Sequence, residues 1–308
     1  MNYIKITKSA NYLPQRKILN SEIENKLNLE KGYIYKRTGI KERYYIEDET
    51  IENMAVNAVK KLDLKKCEKE DIGLIIVATT SSKNLMPGIS NIIQEELAIS
   101  SSICLDILAG CSGFINAFDI AKIYIESGKI NKALVVGVDV LSKYMDKKDI
   151  ATTAVLADGA GAIVLEKTEE NKIYISNIKA EIDENKILSC QADGLIKMKG
   201  KEVYKYAVTK TVENINETLE KANEKLENIK YIVPHQSNSK IMNAIAKRLH
   251  IKENKIYTNI ENKGNTFCAS IPIAISEMQE NNLLKKGDKI ILLGYGGGLN
   301  TGSILLEI

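Results

Sequence analysis

The 308-residue chain has no tryptophan, only two histidines and only four prolines. The small number of prolines excludes a proline-rich linker protein. The formal net charge of +3 excludes a strongly basic nucleic-acid binder and an acidic disordered chain. Because histidine is so scarce, any chemistry that requires an imidazole must use His235 or His250.

The cysteines are also few, and the chain has no long hydrophobic run. The five cysteines form no CxxC pair, and their odd number and wide spacing argue against a disulfide framework or a cysteine-rich zinc site. The first residues, MNYIKITKSANYLP, contain no apolar run of the length that a signal peptide requires. Apolar stretches elsewhere fall far short of the roughly 20 residues of a membrane span. We therefore expect a reduced, cytoplasmic protein with neither a membrane segment nor a nucleic-acid partner.

Short apolar runs alternate with longer amphipathic segments, which is the pattern of an α/β protein. The predicted core strands are Ile72–Ala78, Ile103–Leu108, Ala133–Val138, Ala162–Glu166, Ile229–Pro234 and Lys289–Gly294. The predicted helices include Ser112–Ile125, Val208–Leu226 and Lys240–Leu249.

The sequence also repeats itself at an offset of 157 positions. This shift aligns DIGLIIVATT with NIKYIVPHQS, LVVG with ILLG, and Cys111 with Cys268. A single offset that holds for several elements predicts two related halves, 1–167 and 168–308, each a mixed sheet flanked by helices. In such a duplicated fold, the loops at equivalent strand ends meet across a pseudo-twofold axis. A site built there takes residues from both halves.

Cys111 lies in LDILAGCSGF, between an apolar strand and an amphipathic helix. A cysteine at a helix N-terminus faces unpaired N–H groups and the positive end of the helix dipole, which lower its pKa. The flanking Gly110 and Gly113 permit a tight turn and close approach of a substrate to the backbone. From this context alone, a nucleophile and a buried structural cysteine remain equally reasonable interpretations.

His235 and Asn265 stand at positions that the repeat relates to the first half. His235 follows an apolar strand in YIVPHQSN, and that strand is the copy of the one at Leu74–Ala78. Asn265 precedes the second-half equivalent of the helix that begins after Cys111. A hydrogen-bonded structural histidine and a turn asparagine are the alternatives, but the repeat directs both residues to the shared centre.

The last long strand is followed by the run Tyr295-Gly296-Gly297-Gly298. Successive glycines serve where backbone N–H groups must approach a ligand, as in an oxyanion hole. A flexible hairpin is the alternative interpretation.

The ordered set AGCSGF, PHQSN, GNTFCASIP and GYGGGLNTGS resembles the β-ketoacyl-acyl carrier protein synthase III family of thiolase-fold condensing enzymes. The segments KRTGIKERYY and LADGAGAIVLE also match blocks of that family, so the resemblance covers nearly the whole chain in the right order. It implies an α/β, thiolase-like fold of two duplicated halves, with mixed five-stranded sheets in an αβαβα layered arrangement.

The resemblance also implies a function and a set of roles. The expected reaction is a decarboxylative Claisen condensation of acyl-CoA with malonyl-acyl carrier protein, in fatty-acid initiation or a related pathway. Cys111 would carry the acyl group, and His235 and Asn265 would donate hydrogen bonds to the malonyl thioester oxygen. The N–H groups of Cys111 and Gly297 would form the oxyanion hole. The alternative is an acyltransferase of the same fold that delivers the acyl group to a non-malonyl acceptor.

Several expected contacts follow from the resemblance, some at positions where this sequence departs from the family. Tyr33 replaces a tryptophan that stacks on the coenzyme A adenine, Arg37 remains available for its phosphates, and Ile150 replaces a clamping arginine. Tyr295 replaces a pocket phenylalanine. The loop between Cys190 and Met198 is shorter than usual, which we expect to widen access or change chain-length preference.

The family resemblance further implies two protein partners. Met86 matches a residue that reaches across the family's dimer interface, so a homodimer is expected. Lys240, Lys247 and Arg248 could dock the acidic carrier protein, although a solvated helix face explains the same charges about as well. No metal and no cofactor other than the acyl-CoA substrate are expected.

Overall fold

The computed structural model describes residues 3–192 and 194–308. Its strands are β1 Tyr3–Tyr12, β2 Arg16–Leu19, β3 Glu42–Tyr45, β4 Ile72–Ala78, β5 Ile103–Ile107, β6 Lys132–Val140, β7 Asp158–Thr168, β8 Tyr174–Ala180, β9 Leu188–Ser189, β10 Lys197–Met198, β11 Tyr231–Pro234, β12 Lys289–Gly296 and β13 Asn300–Glu307. Its helices are α1 Asn20–Lys26, α2 Tyr33–Thr38, α3 Ile51–Lys60, α4 Lys66–Glu70, α5 Ile89–Glu96, α6 Gly113–Glu126, α7 Ile150–Thr153, α8 Gly200–Lys221, α9 Ser239–Arg248, α10 Ile260–Lys263 and α11 Ser270–Glu280.

The first sheet has five strands in the order β1-β7-β6-β4-β5. β4 pairs in parallel with both β5 and β6, whereas β7 is antiparallel to β1 and β6. β6 is buried along its whole length, which explains why its sequence KALVVGVDV is almost continuously apolar. β5 forms one edge of this sheet, and no described strand pairs with its outer side.

The second sheet repeats this order in the other half of the chain, as β11-β12-β13-β8. β4 and β11 correspond at the offset of 157, as do β6 and β12. The expectation of five strands was wrong for this sheet, because the described chain forms four there. The element beside β11 is reduced to an isolated parallel bridge between Ile232 and Ile256. The boundary between residues 167 and 168 stays a prediction.

Helices form the layers on and between the two sheets. α6 and α11 lie between the sheets, where Phe114 and Phe118 share one apolar core with Cys268 and Ile304. α3 and α5 cover the outer face of the first sheet, and α8 covers the second. Because the central core takes residues from both halves, the halves pack as one unit rather than as independent modules.

At two glycines of the first sheet, the backbone of the second half approaches too closely for any side chain to fit. A Cβ atom at Gly137 would lie 2.2 Å from the carbonyl oxygen of Cys268. A Cβ atom at Gly161 would lie 2.7 Å from the backbone nitrogen of Ile273. The turn that precedes α11 therefore lies directly on the main chain of β6, and the first turn of α11 lies on that of β7. In the described residues, no helix is both long and apolar enough to cross a membrane.

Candidate active site

A cavity of about 350 Å³ lies where the equivalent strand ends of the two halves meet. Cys111, His235 and Asn265 all line it, as does Gly296 of the glycine run. The structure thus brings together the three side chains that the sequence placed at the shared centre. The remaining wall is largely apolar and includes Ile34, Ile150, Leu156, Leu188, Ile196, Met198, Ile241 and Phe267.

Cys111 lies in a 3-10 turn, Gly110–Ser112, that leads directly into α6. Gly110 has a φ of 57°, a conformation that glycine adopts without strain. A Cβ atom at Gly296 would lie 2.9 Å from Cys111 Sγ, so the glycine run passes closely over the sulfur. The backbone N–H groups of Gly297 and of Cys111 itself hydrogen-bond to the sulfur and lower the Cys111 pKa in part. These are the two N–H groups expected to form the oxyanion hole.

Burial nevertheless raises the pKa of Cys111 to about 12, with the charge of buried Asp139 adding to the effect. The sequence argument considered only the helix terminus and expected a lower pKa. Because desolvation outweighs the N–H groups, Cys111 is a neutral thiol in the free site at neutral pH.

His235 follows β11 and is 1 % exposed. Its backbone N–H donates to the Leu293 carbonyl, 2.7 Å away, which fixes it to β12. Burial lowers the His235 pKa to about 3, so the imidazole is neutral. Nδ1 lies 2.8 Å from the hydroxyl of Ser270, and the ring packs edge-on against Tyr295.

The backbone N–H and the backbone carbonyl of Asn265 both form hydrogen bonds. Its N–H donates to the Val155 carbonyl and its own carbonyl accepts from the Ala157 N–H, both at 2.8 Å. Its side-chain Oδ1 accepts a hydrogen bond from the N–H of Phe267 at 3.1 Å. Because the oxygen is engaged in this way, the NH₂ group of the amide is the donor left for the cavity.

The sequence resemblance gave no role to Phe267 or Ser270, although both lie in the matching block GNTFCASIP. Phe267 has a φ of 44°, which is uncommon for a bulky residue. In this conformation its N–H reaches Asn265 and its carbonyl accepts from the Ser270 hydroxyl at 2.8 Å. One turn residue thus connects the supports of both Asn265 and His235. A positive φ at a phenylalanine leaves no signal in a single sequence.

Comparison with known proteins identifies the family of the chain. The model of the 3-oxoacyl-[acyl-carrier-protein (ACP)] synthase III family matches residues 105–183, and the model of the C-terminal part of that synthase matches residues 219–308. The chain belongs to this family. The two matches include Cys111 in the first and both His235 and Asn265 in the second.

Full-length relatives have the same family name. The chain is 37% identical to the β-ketoacyl-[acyl-carrier-protein] synthase III of Clostridium novyi over 322 residues, covering 100% of this chain and 99% of the relative. The synthase III of Aquifex aeolicus is 39% identical over 305 residues, with 98% and 99% covered. A crystal structure of the Aquifex aeolicus VF5 enzyme superposes with a TM-score of 0.94 at 38% identity, covering 99% of this chain and 100% of that one. The thiolase-type fold of the synthase III family is thereby confirmed.

Tyr295 occupies the pocket position where the sequence comparison expected a synthase III phenylalanine. Its hydroxyl lies 2.7 Å from Ser237 Oγ and 3.2 Å from the carbonyl oxygen of His235. Burial raises the Tyr295 pKa well above its usual range, so the phenol stays protonated. The extra hydroxyl therefore has two partners inside the protein and ties the glycine run to the His235 segment.

The residues expected to contact coenzyme A line one side of the same cavity. The guanidinium of Arg37 lies 4.3 Å from the centre of the Tyr33 ring, so these two residues stack on each other. Ile150 begins α7 and also lines the cavity. Position 150 is thus an isoleucine, and Arg37 supplies a positive charge beside the Tyr33 ring.

The shortened loop between Cys190 and Met198 joins β9 to β10, which pair as a two-stranded ribbon. Leu188 and Met198 from this ribbon line the cavity, together with Ile196 of the loop. One residue of the loop, Asp193, lies outside the described residues. The ribbon gives the cavity an apolar wall, which suits an acyl chain.

The residues that we expect to contact a carrier protein or a second subunit are exposed. Lys240, Lys247 and Arg248 are exposed on α9, and Arg248 also donates to Thr209 at 3.1 Å. Lys240 lies in the first turn of α9, between Asn238 and Ile241, which both line the cavity. Lys247 and Arg248 lie at the opposite end of the helix. Met86 is 85% exposed. Among the described residues, no group of three or more His, Cys, Asp or Glu side chains is placed to hold a metal ion.

Proposed function

We propose that the protein condenses an acyl thioester, acyl-CoA, with malonyl-acyl carrier protein to give 3-oxoacyl-acyl carrier protein, carbon dioxide and free coenzyme A. The observation that carries the proposal is the cavity that Cys111, His235 and Asn265 line together. The names of the synthase III relatives support the carrier protein as a substrate. The reaction needs no redox cofactor, because no electrons are exchanged with an outside acceptor.

In the first half-reaction, Cys111 takes the acyl group. Its sulfur attacks the thioester carbonyl, the bond from that carbonyl to the coenzyme A sulfur breaks, and the cysteine proton ends on the released thiol. The tetrahedral oxyanion needs donors where its charge develops, and the N–H groups of Cys111 and Gly297 already converge on the sulfur. The apolar β9–β10 wall would hold the acyl chain.

In the second half-reaction, the malonyl group loses carbon dioxide and its thioester oxygen becomes an enolate. The Asn265 NH₂ group and a protonated His235 Nε2 would donate hydrogen bonds to that oxygen. The carbanion then attacks the acyl carbonyl, the bond to Cys111 Sγ breaks, and the thiolate takes a proton from solution. Both donors are neutral and buried, so they need little reorganisation as the charge develops.

The substrate contacts belong to the same proposal. Tyr33 and Arg37 would bind the nucleotide end of coenzyme A, since they present an aromatic face and a cation beside the cavity. Lys240, at the N-terminus of α9 and next to the cavity lining, would meet the acidic carrier protein first. The five free cysteines fit a reducing compartment, and we place the enzyme in the cytoplasm.

We also propose a homodimer formed along β5. This strand is the unpaired edge of the first sheet, and unpaired edges readily add a second strand. Leu108, which follows it, is 79% exposed, and the nearby Leu85 and Met86 are 95% and 85% exposed. The carboxylate of Asp106 in β5 accepts from the N–H of Ile89, which keeps the segment after Met86 beside this edge. An exposed edge with adjoining apolar side chains suits a second copy of the chain.

Labelling tests the reaction directly. The protein is incubated with radiolabelled acetyl-, butyryl- and longer acyl-CoA, digested, and the labelled peptide identified. We expect label on the peptide that contains Cys111, and its conversion to a 3-oxoacyl product with carbon dioxide when malonyl-acyl carrier protein is added. Cys268→Ala is the matched control, because this buried cysteine occupies the equivalent turn. Absence of label with every donor would overturn the proposal, and release of the acyl group only to non-malonyl acceptors would replace it with an acyltransferase.

A further inference from the structure

The hydroxyl of Ser270 lies within hydrogen-bond distance of two other groups. Its Oγ lies 2.8 Å from Nδ1 of His235 and 2.8 Å from the carbonyl oxygen of Phe267. A serine hydroxyl has one hydrogen, so it can donate to only one of them at a time. Ser270 is itself 2 % exposed and does not line the cavity, so it acts on the chemistry only through His235.

The direction of this hydrogen bond determines which ring nitrogen of His235 carries the proton. If Ser270 donates to Phe267, Nδ1 must donate to Ser270, and Nε2 is left as an acceptor. If Ser270 donates to Nδ1, the ring proton is on Nε2, which then becomes a donor. The two arrangements place the heavy atoms alike but give the cavity opposite chemistry.

Three observations make this choice matter. His235 is neutral because burial lowers its pKa to about 3, so only one ring nitrogen is protonated. The hydrogen bond that fixes Nδ1 comes from Ser270, not from a carboxylate. The carbonyl of Phe267 also accepts the backbone N–H of Ser270, so it keeps a partner when the hydroxyl turns away.

We propose that Ser270 is a positioning residue that donates its hydroxyl hydrogen to His235 Nδ1 and thereby holds the proton on Nε2 for decarboxylation. The inference rests on the proposed function, which needs a donor beside the NH₂ group of Asn265. The same turn orients both donors, because the Phe267 N–H fixes the Asn265 oxygen and the Ser270 hydroxyl fixes the histidine. Without the hydroxyl, Nδ1 and Nε2 compete for the proton, and the wrong tautomer cannot stabilise the enolate.

Nuclear magnetic resonance reads the tautomer in the unmodified protein. The chain has only two histidines, and His250 is exposed, so isotopic labelling of histidine nitrogens gives two sets of signals. His250→Gln removes one set and assigns the other to His235. We expect the proton of neutral His235 on Nε2. A proton found predominantly on Nδ1 would overturn the inference.

Substitution tests the consequence for the reaction. Ser270→Ala should lower the rate of malonyl decarboxylation about tenfold, as expected for the loss of one hydrogen bond, and leave acylation of Cys111 much less affected. Ser270→Thr retains the hydroxyl and should restore most of the rate. Ser276→Ala is the matched control, because Ser276 is a buried serine on the same helix that bonds to Asn11 and Glu280.

The outcomes separate this inference from the proposed function. If the wild-type protein neither acylates Cys111 nor decarboxylates malonyl-acyl carrier protein, the proposed function fails. If wild type does both and folded Ser270→Ala decarboxylates at the same rate with the same His235 tautomer, only the role of Ser270 fails. If Ser270→Ala does not fold, the wild-type tautomer measurement still decides.

Discussion

The N–H of Phe267 donates a hydrogen bond to Oδ1 of Asn265 at 3.1 Å, and this bond fixes which end of the amide meets the cavity. A free amide could turn either its oxygen or its nitrogen toward a substrate. Here the oxygen is engaged, so the nitrogen is the end left for the cavity. The direction of a single backbone N–H thus supports the donor role that we propose for Asn265.

Asn265→Asp should therefore remove the donor while keeping the shape and the bond to Phe267. A carboxylate oxygen would face the substrate oxygen, and we expect decarboxylation to fall by roughly 10²–10³, with a smaller effect on acylation. Release of labelled carbon dioxide measures the first step and acyl label on Cys111 the second. Asn281→Asp at the exposed end of α11 is the control, and an equal loss in both steps would contradict the donor role.

The glycine run offers a matched pair of alanine substitutions. Gly296→Ala would place Cβ 2.7 Å from Cys111 Cβ, whereas the nearest atom to a Cβ at Gly297 is 3.5 Å away. We expect Gly296→Ala to reduce acylation at least a hundredfold by displacing the sulfur, and Gly297→Ala, which keeps its N–H, to stay within several-fold of wild type. Single-turnover acylation distinguishes them. Similar losses in both variants would show that the close approach at Gly296 is unimportant.

His235 makes stability depend on pH with a definite sign. Its pKa falls from 6.5 to about 3 on folding because burial disfavours the charged ring. Between pH 6.5 and pH 3, the unfolded chain binds a proton on this histidine that the folded chain does not bind. The free energy of unfolding therefore decreases as the pH falls below 6.5. Between pH 6.5 and 4.5 the loss is roughly 2 kcal/mol.

Urea unfolding at several pH values measures this term. His235→Gln should show a shallower decline in unfolding free energy than wild type over the same interval. His250→Gln, at the exposed histidine, should follow wild type. Parallel curves for wild type and His235→Gln would show that the buried imidazole does not control the decline.

The raised pKa of Cys111 predicts its reactivity in the free enzyme. The thiol has a pKa of about 12. At any pH well below 12, raising the pH by one unit therefore increases the thiolate fraction about tenfold. Alkylation of Cys111 by iodoacetamide, followed by peptide mass spectrometry, should accelerate steadily from pH 7 to pH 9.5. A plateau near pH 7 would instead indicate the stabilised thiolate that the helix position alone led us to expect.

The β5 edge can be tested by charge. Leu108→Lys and Met86→Lys should shift sedimentation from dimer to monomer at micromolar protein, because burying an unpaired ammonium is costly. Ile182→Lys is the control, since Ile182 is 87% exposed and belongs to the other half of the chain. A wild-type monomer, or dimers unchanged by both substitutions, would contradict the proposed interface.

Much of the fold was predictable from the sequence, because buried strands and repeats leave strong patterns. The strand Ile72–Ala78 matches its prediction at both ends, and the offset of 157 relates the turn at Gly110–Ser112 to the one at Phe267–Ala269. α8 spans Gly200–Lys221 rather than the predicted 208–226, and the first two turns, which the prediction missed, are largely exposed. The predicted strands omit β1, β8 and β13, although β13 is buried and pairs with both β12 and β8.

The candidate site divides in the same way. The repeat predicted that Cys111, His235 and Asn265 lie near one shared centre, and the family resemblance implied their roles. The pKa of Cys111 was not predictable, because desolvation depends on neighbours from distant parts of the chain. The supporting contacts of Ser270 and Phe267 depend on hydroxyl direction and on one backbone dihedral angle, neither of which a sequence pattern encodes.

The glycines at 137 and 161 have a mechanical consequence. The turn before α11 and the first turn of that helix lie against the main chain of the first sheet at these two positions. A larger side chain at either position would overlap the backbone of the second half, so Gly137→Ala or Gly161→Ala would push the two halves apart. The contact that holds the halves in register therefore depends on the absence of two side chains.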